Sequence, residues 1–286
     1  MRIVDLGFGK IRMVIEPDTD LKKASNLYDD DIYILSIEGQ FDDIRFLTEF
    51  SRLFFDIKEI SISNWGKCDH SFIYSLKKLT DLSFSSFQKE IDFLKVAKLN
   101  FLGITYEKKY LKNLNYQTEI EHLVVSDYTG KDLKALSFFK NIKSLRIVGS
   151  KLKSLDGIEN FSNIKRLEIS ASRSLTDISE ITALQKLKFL EFDICWKMQD
   201  FSPLSKLKEL EVLRLLDCKN LASIKFVKKI SKLRQLYTLG TTIINDFDTT
   251  PAKNIPIYFG SLNNKYNVQY PEKEIKEGQK SWSSYL

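Results

Sequence analysis

The stretch LEFDICWKMQDFSPLSKLKELEVLRLLDCKNL, from Leu190 to Leu221, contains two of the three cysteines of the chain, Cys195 and Cys218. Each cysteine follows a short apolar run that begins with Leu-Glu, and the two lie 23 residues apart. Metal sites have a ligand spacing set by coordination geometry, whereas a repeat array has a spacing set by its period. We therefore predict successive copies of one repeat, with both cysteines at the same buried position, where a small and weakly polar side chain fits.

The same period extends along most of the chain. The pattern L-x-x-L-x-L, with isoleucine accepted for leucine, begins at residues 142, 164, 187, 210 and 233. More degenerate copies in the same phase begin at residues 32, 57, 79, 99 and 120. About ten units therefore fill residues 32–254.

Each unit has two halves with different periodicity. Apolar and polar residues alternate in the first half, which is typical of a strand. In the second half the apolar residues lie three apart, as in Leu152, Leu155, Ile158 and Phe161, which suits a 3₁₀ or short helical return. A strand and a return of this length cannot enclose a core alone, so neighbouring units must stack and share one.

These repeats resemble the leucine-rich-repeat family, and specifically the short class of about 22 residues per repeat seen in bacterial internalins. The resemblance implies an α/β leucine-rich-repeat solenoid with a curved parallel β-sheet on its concave face. Short 3₁₀, helical or irregular returns would form the convex side, and short β elements would cap both ends. The asparagine usual at the ninth repeat position is replaced in this chain by Ser150, Ser172, Cys195, Cys218 and Thr241, and in the first half by Trp65, Phe87 and Tyr128.

The segments outside the repeats are predicted to cover the ends of the stack, because exposed sheet edges and core need protection. Residues 1–31 are predicted to be a hairpin-like amino-terminal cap. Residues 255–270, with β-prone runs on either side of Asn263-Asn264, are predicted to be the carboxy-terminal cap. Residues 271–286 form a polar tail in which Trp282 and Tyr285 either belong to a loose end or anchor a partner.

The composition indicates a soluble globular chain. The 286 residues are 43% hydrophobic and have a net charge of +6, with lysine balanced by many acidic residues. We find no signal-peptide pattern and no uninterrupted apolar stretch of about 20 residues. We therefore expect a cytoplasmic protein with reduced cysteines, no membrane insertion and no nucleic-acid partner.

Catalytic and metal motifs are missing from the sequence. The only histidines are His70 and His122, and the run Cys68-Asp69-His70 lacks a second cluster that would complete a metal site. Nucleophile elbows and phosphate-binding glycine loops are not found. We therefore predict no metal, no cofactor and no enzymatic activity, with an undetected site in residues 255–286 or nucleic-acid binding as the alternatives.

The third, fifth, seventh and eighth positions of each repeat are predicted to project from the concave face, where the family commonly binds partners. Arginine and aromatic residues are enriched among interface anchors. An alternative for the charges is that Arg146–Glu168 and Glu191–Arg214 are cross-strand ion pairs that only solubilise the sheet. The predicted partner-binding residues are Phe101, Tyr106, His122, Arg146, Arg166, Glu168, Phe189, Glu191, Asp193, Arg214 and Tyr237.

The predicted function is a non-catalytic protein-binding module that is monomeric apart from its partner. The resemblance implies two kinds of bacterial protein, namely immunity proteins that neutralise a toxin and host-directed effectors. We favour an immunity or antitoxin-like inhibitor, whose partner would be a toxin. An internalin-like adhesion protein or an effector that binds a host protein is the alternative.

Overall fold

The computed structural model describes residues 1–7, 11–28, 32–40, 44–64, 70–85 and 89–269, and the chain divides into two compact units, residues 1–123 and 124–286. Several sequence predictions fall outside the described residues. These are the polar tail 271–286 with Trp282 and Tyr285, the ninth-position residues Trp65 and Phe87, and Cys68 and Asp69.

The amino-terminal unit is built on a mainly parallel sheet. Arg2–Asp5 (β1) pairs antiparallel with Ile11–Ile15 (β2), and β2 pairs in parallel with the next strand. The parallel series continues in chain order. Its strands are Ile32–Gly39 (β3), Glu59–Asn64 (β4), Asp81–Phe84 (β5) and Phe101–Thr105 (β6). The strand His122–Ser126 (β7) contains the boundary between the two units.

The returns of this unit change from α-helices to 3₁₀-helices along the chain. Helix α1, Leu21–Leu27, begins after Asp20, whose side chain accepts a hydrogen bond from the Lys23 amide at 3.1 Å, and helix α2 spans Ile44–Leu53. Later returns are the 3₁₀-helices His70–Ser75, Lys108–Tyr110 and Leu114–Tyr116 and the paired two-residue strands Ile91–Asp92 and Leu111–Lys112. Residues 1–31 thus contain the hairpin β1–β2 and also α1, and the parallel series begins at β2.

The carboxy-terminal unit contains six parallel strands that pair in chain order and in repeat register. They are Ser144–Val148 (β8), Arg166–Ser170 (β9), Phe189–Asp193 (β10), Val212–Leu216 (β11), Gln235–Leu239 (β12) and Ile257–Gly260 (β13). The 3₁₀ returns are Lys134–Leu136, Ile158–Asn160, Ser179–Ala183, Ser202–Lys206, Lys225–Lys229 and Thr250–Ala252. Asn220–Leu221 and Ile243–Ile244 form a further short parallel pair.

The core of this unit is formed by the fourth and sixth strand positions and by the apolar residues of the returns. The strand residues Leu145, Ile147, Leu190 and Phe192 are all 0% exposed. Their neighbours at odd positions point to the other side of the sheet, because successive side chains of a strand alternate. The leucine-rich-repeat solenoid predicted from the period is therefore the observed architecture.

A ladder of small polar side chains follows the strands, at the ninth repeat position. Ser150 and Ser172 share a hydrogen bond of 2.6 Å between their hydroxyls. The Cys195 thiol donates to the Ile169 carbonyl at 3.5 Å, and the Cys218 thiol donates to the Phe192 carbonyl at 3.4 Å. Both cysteines are 0% exposed, which confirms their prediction as buried rungs of one ladder. Each of the two thiols thereby satisfies a backbone carbonyl inside the core.

The ladder continues at Thr242 rather than at Thr241, so the ninth-position assignment of Thr241 is wrong. Thr242 is 1% exposed and donates to the Leu215 carbonyl at 3.1 Å, whereas Thr241 is exposed. The Thr242 hydroxyl also accepts a hydrogen bond from the Cys218 amide at 3.0 Å. The cause is one additional residue between the strand β12 and the ladder in this repeat.

Each of the strands β8–β12 is followed by a residue in the left-handed backbone region, at the eighth repeat position. This holds for glycines and for other residue types, with φ of 66° at Gly149, 52° at Ala171 and 53° at Ile194. The amide of Ala171 donates to the Asp193 carbonyl at 2.9 Å, and the amide of Ile194 donates to the Leu216 carbonyl at 3.0 Å. The left-handed turn therefore continues the pairing with the next repeat while it directs the ladder side chain inward.

The carboxy-terminal end does not form the strand pair that the sequence suggested around Asn263-Asn264. The strand β13 pairs in parallel with β12, and residues 261–269 contain no strand. Tyr266 is 9% exposed, and its hydroxyl accepts a hydrogen bond from the Ile244 amide at 3.0 Å. A buried tyrosine thus covers this end of the core where a second strand was expected.

Candidate partner-binding face

The face of β8–β13 opposite the core consists of the third and fifth repeat positions, and we call it the open face. The strand register places residues of one repeat position side by side. The third positions are Ser144, Arg166, Phe189, Val212, Gln235 and Ile257. The fifth positions are Arg146, Glu168, Glu191, Arg214, Tyr237 and Phe259.

Glu168 is the centre of a charged cluster on the open face. Its carboxylate forms an ion pair of 3.4 Å with Arg146 on β8 and a second ion pair with Arg166, two residues earlier on β9. Glu168 is 8% exposed, so both guanidinium groups compensate a carboxylate that is largely removed from water. The cluster holds Arg166 in place, whereas the Arg146 side chain remains 54% exposed.

Glu191 lies beside Glu168 and forms its own ion pair on the other side. Its Oε2 lies 2.7 Å from Nη1 of Arg214, on the neighbouring strand. Burial raises the pKa of Glu191, and the nearby Glu168 charge acts in the same direction, while Arg214 opposes the shift. The two adjacent carboxylates are therefore stabilised by arginines at both ends of the row.

Aromatic rings extend this row of charges. The guanidinium carbon of Arg214 lies 5.3 Å from the centroid of the Tyr237 ring, and Tyr237 stacks on Phe259 with 5.3 Å between centroids. Both rings are half-buried. Phe259 was not among the predicted site residues, because the L-x-x-L-x-L pattern does not extend to β13 and the residue was assigned to the cap.

Phe189, expected to be exposed on this face, is 0% exposed, and its neighbour Val212 is 1% exposed. The guanidinium carbon of Arg166 lies 4.0 Å from the centroid of the Phe189 ring and covers it. The sequence indicates which face a residue occupies, but it does not show that a long neighbouring side chain lies over the ring. Phe189 therefore does not contact a partner itself, and its ring supports the Arg166 side chain that covers it.

Asp193 ends the strand β10 at the edge of the open face. Burial raises its pKa, and the nearby Asp217 carboxylate adds to the shift. The Ser170 hydroxyl donates a hydrogen bond of 3.4 Å to Asp193.

The structure groups eight of the predicted site residues in the carboxy-terminal unit: Arg146, Arg166, Glu168, Phe189, Glu191, Asp193, Arg214 and Tyr237.

The other three predicted residues, Phe101, Tyr106 and His122, lie in the amino-terminal unit and are half-buried. Burial raises the pKa of Tyr106. Next to Phe101 the sheet has a depression of about 330 Å³ that sequence analysis did not predict. Small residues form its floor, because Ser61 and Ser83 occupy fifth positions of adjacent strands. Its lining residues are Ile34, Glu59, Ile60, Ser61, Asp81, Leu82, Ser83 and Phe101.

In the described ranges of the chain, no three His, Cys, Asp or Glu side chains come together so that they could hold a metal ion. His70 is 1% exposed and packs edge-on against Phe84, with 5.2 Å between ring centroids. No helix in the part of the chain that the structure describes has the length and apolar character needed to cross a membrane.

Comparison with known proteins identifies the fold. No protein-family model and no curated protein matches the sequence. Among solved structures, an internalin (InlF) from Listeria monocytogenes is similar, with 20% identity and a TM-score of 0.55 over 86% of this chain and 71% of that chain. Internalin C2 from the same species has 19% identity and a TM-score of 0.42, over 66% of this chain and 74% of its own. A leucine-rich-repeat protein from Leptospira interrogans has 18% identity and a TM-score of 0.43, and the match covers 72% of this chain and 59% of that protein. The chain has the leucine-rich-repeat fold of the internalin-like class.

Proposed function

We propose that this chain is a non-catalytic protein-binding module that holds a protein partner on the open face. The observation that supports it best is the continuous fifth-position row, in which Glu191, Arg214, Tyr237 and Phe259 occupy four adjacent strands. Arginine and aromatic side chains combine large contact area with directed polar contacts, which is the composition of interface anchors.

The row is also held in position before a partner arrives. Arg214 is fixed between Glu191 at 2.7 Å and the Tyr237 ring, and Tyr237 is stacked on Phe259. Side chains that are already ordered lose less conformational entropy on binding. The alternative, that the ion pairs only keep the sheet soluble, gives no role to the two half-buried aromatic rings at the end of the row.

Within this class, we favour an immunity or antitoxin-like inhibitor that acts inside the cell by covering the surface of a toxin. The net charge of +6 disfavours a basic partner, such as a basic nuclease toxin, and favours an acidic one. The second candidate is an adhesion or effector protein that binds a host protein. It is favoured by the fold, because two of the similar solved structures are named as internalins.

The test is affinity capture from the native organism with the wild-type chain and two paired variants. Arg214→Ala with Tyr237→Ala removes the centre of the row. Lys228→Ala with Tyr116→Ala is the matched control, because it removes one cation and one tyrosine from exposed positions outside the open face. We expect a protein that is captured by the wild type and by the control but not by the Arg214/Tyr237 variant. Equal capture by all three would contradict the open face as the binding site.

A further inference from the structure

A second surface of the carboxy-terminal unit follows the buried ladder. Lys151, Arg173 and Lys219 each come directly after a ladder residue, at the tenth repeat position, and all three are exposed. The fourth residue at this position, Trp196, is 37% exposed. We call Lys151, Arg173, Trp196 and Lys219 the basic row.

Two cations of the basic row lie over one indole ring. The guanidinium carbon of Arg173 lies 4.6 Å from the Trp196 ring, and Nζ of Lys219 lies 4.2 Å from it. They come from the repeats on either side of Trp196. Cation–π contacts of this kind hold the long side chains in place, so the two like charges are kept close together at the surface.

The basic row differs from the open face in how its charge is compensated. On the open face, Arg146, Arg166 and Arg214 all form ion pairs with glutamates. Among the described residues, no ion pair joins a cation of the basic row to a carboxylate. The row therefore presents ordered positive charge that a partner of opposite sign can neutralise.

We propose that the basic row binds an extended acidic segment of a protein, whose carboxylates contact the cations while its backbone packs along Trp196. Three repeat steps of about 4.8 Å separate Lys151 from Lys219, which matches about four residues of an extended peptide. The proposal adds a second surface to the proposed function and does not depend on binding at the open face.

The charges beside the row favour an acidic peptide over a nucleic acid. Asp193 ends the strand β10, which precedes Trp196, and Asp217 directly follows the strand β11, which precedes Lys219. The Asp217 carboxylate accepts a hydrogen bond from the Thr241 amide at 2.8 Å. A nucleic acid carries a charge on every phosphate and would be repelled by these carboxylates. A peptide can place its carboxylates over the cations and neutral residues beside the aspartates.

The experiment is a fluorescence-anisotropy titration of the full chain with a labelled short peptide in which glutamates alternate with serines and, separately, with a single-stranded oligothymidylate carrying the same label. The row variant is Arg173→Gln with Lys219→Gln. The matched control is Lys228→Gln with Lys229→Gln, which removes the same charge from exposed positions of a return. Circular dichroism of each variant checks that it is folded.

We expect the row variant to weaken peptide binding about tenfold or more and the control to change it less than about threefold. The indole N–H resonance of Trp196, identified by its loss in Trp196→Phe, should shift when the peptide is added to the wild type. Three results would overturn the proposal: no peptide binding, equal weakening by both variant pairs, or tighter binding of the oligothymidylate than of the peptide.

Discussion

Glu191 and Arg214 occupy the same repeat position on adjacent strands, and their charged atoms approach to 2.7 Å. Both side chains are largely covered, with 15% exposure for Glu191 and 23% for Arg214. A pair that is so covered is less screened by water than a fully exposed pair. Its energy is therefore the first quantity to measure on the open face.

A double-mutant cycle with Glu191→Ala and Arg214→Ala should give a coupling energy of about 1 kcal/mol in the free energy of unfolding. The same cycle on Arg146 and Glu168 should give a smaller value, because the Arg146 side chain is 54% exposed and the pair is 3.4 Å apart. Urea denaturation of the wild type, single and double variants measures both cycles. A larger coupling for the Arg146–Glu168 pair would show that exposure does not govern these interactions.

The raised pKa of Glu191 predicts a dependence of stability on pH. When the folded-state pKa of a carboxyl group is above its unfolded value, the folded state binds more protons between the two values. The contribution of Glu191 to stability is then full below the ordinary glutamate pKa and is lost as pH rises through the raised pKa. Glu191→Gln should therefore be more stable relative to wild type at neutral pH than at about pH 4.

Chemical denaturation of the wild type and of Glu191→Gln between about pH 4 and neutral pH measures how their free energies of unfolding differ. Glu180→Gln serves as the control, because Glu180 is exposed on a return. If the free energy of unfolding of the wild type and that of Glu191→Gln differ by the same amount at every pH, the raised pKa of Glu191 is contradicted.

The buried ladder predicts slow reaction of two thiols. Burial raises the pKa of Cys218 to about 12 and shifts the pKa of Cys195 in the same direction, so neither forms a thiolate near neutral pH. In a Cys68→Ser background, a thiol reagent should label Cys195 and Cys218 only as fast as the chain opens. Reaction of the folded chain at the rate of the denatured chain would refute the ladder.

The left-handed residue after each strand predicts opposite effects of two small substitutions. Ala171 has φ of 52°, a conformation that glycine adopts without steric cost, so Ala171→Gly should stabilise the chain by about 0.5 to 1 kcal/mol. Gly149→Ala should destabilise it, because φ is 66° and an added Cβ would lie 3.1 Å from Asp127 Oδ1. Thermal unfolding measures both, and a loss of stability in Ala171→Gly would contradict the assigned strain.

Much of the carboxy-terminal unit could be predicted from the period alone. The spacing of the repeats placed Arg146, Glu168, Glu191 and Arg214 side by side on one sheet face, and the strand register confirms this. The period also identified Cys195 and Cys218 as rungs of a buried ladder. Both predictions depend only on residues that recur at fixed intervals, because stacked repeats bring equal positions together.

Features that depend on one repeat alone were not predictable in this way. Phe189 is covered by the Arg166 side chain, and the extra residue before Thr242 moves the ladder by one position. Among the described residues, α-helices take the place of 3₁₀-helices near the amino-terminal end, with α1 in the cap and α2 in the first repeat. Side-chain packing and loop length within a single repeat determine these features. The repeat period does not show them, because it reports only what recurs from one repeat to the next.

Calorimetric titration of the chain with its purified partner measures directly whether the open face binds a protein. Arg214→Ala with Tyr237→Ala should weaken the affinity about tenfold or more, equivalent to about 1.4 kcal/mol or more, because both anchors are lost. The control pair Lys228→Ala with Tyr116→Ala should remain within about threefold of the wild type. Equal affinities for wild type and the Arg214/Tyr237 variant would show that the open face does not bind the partner.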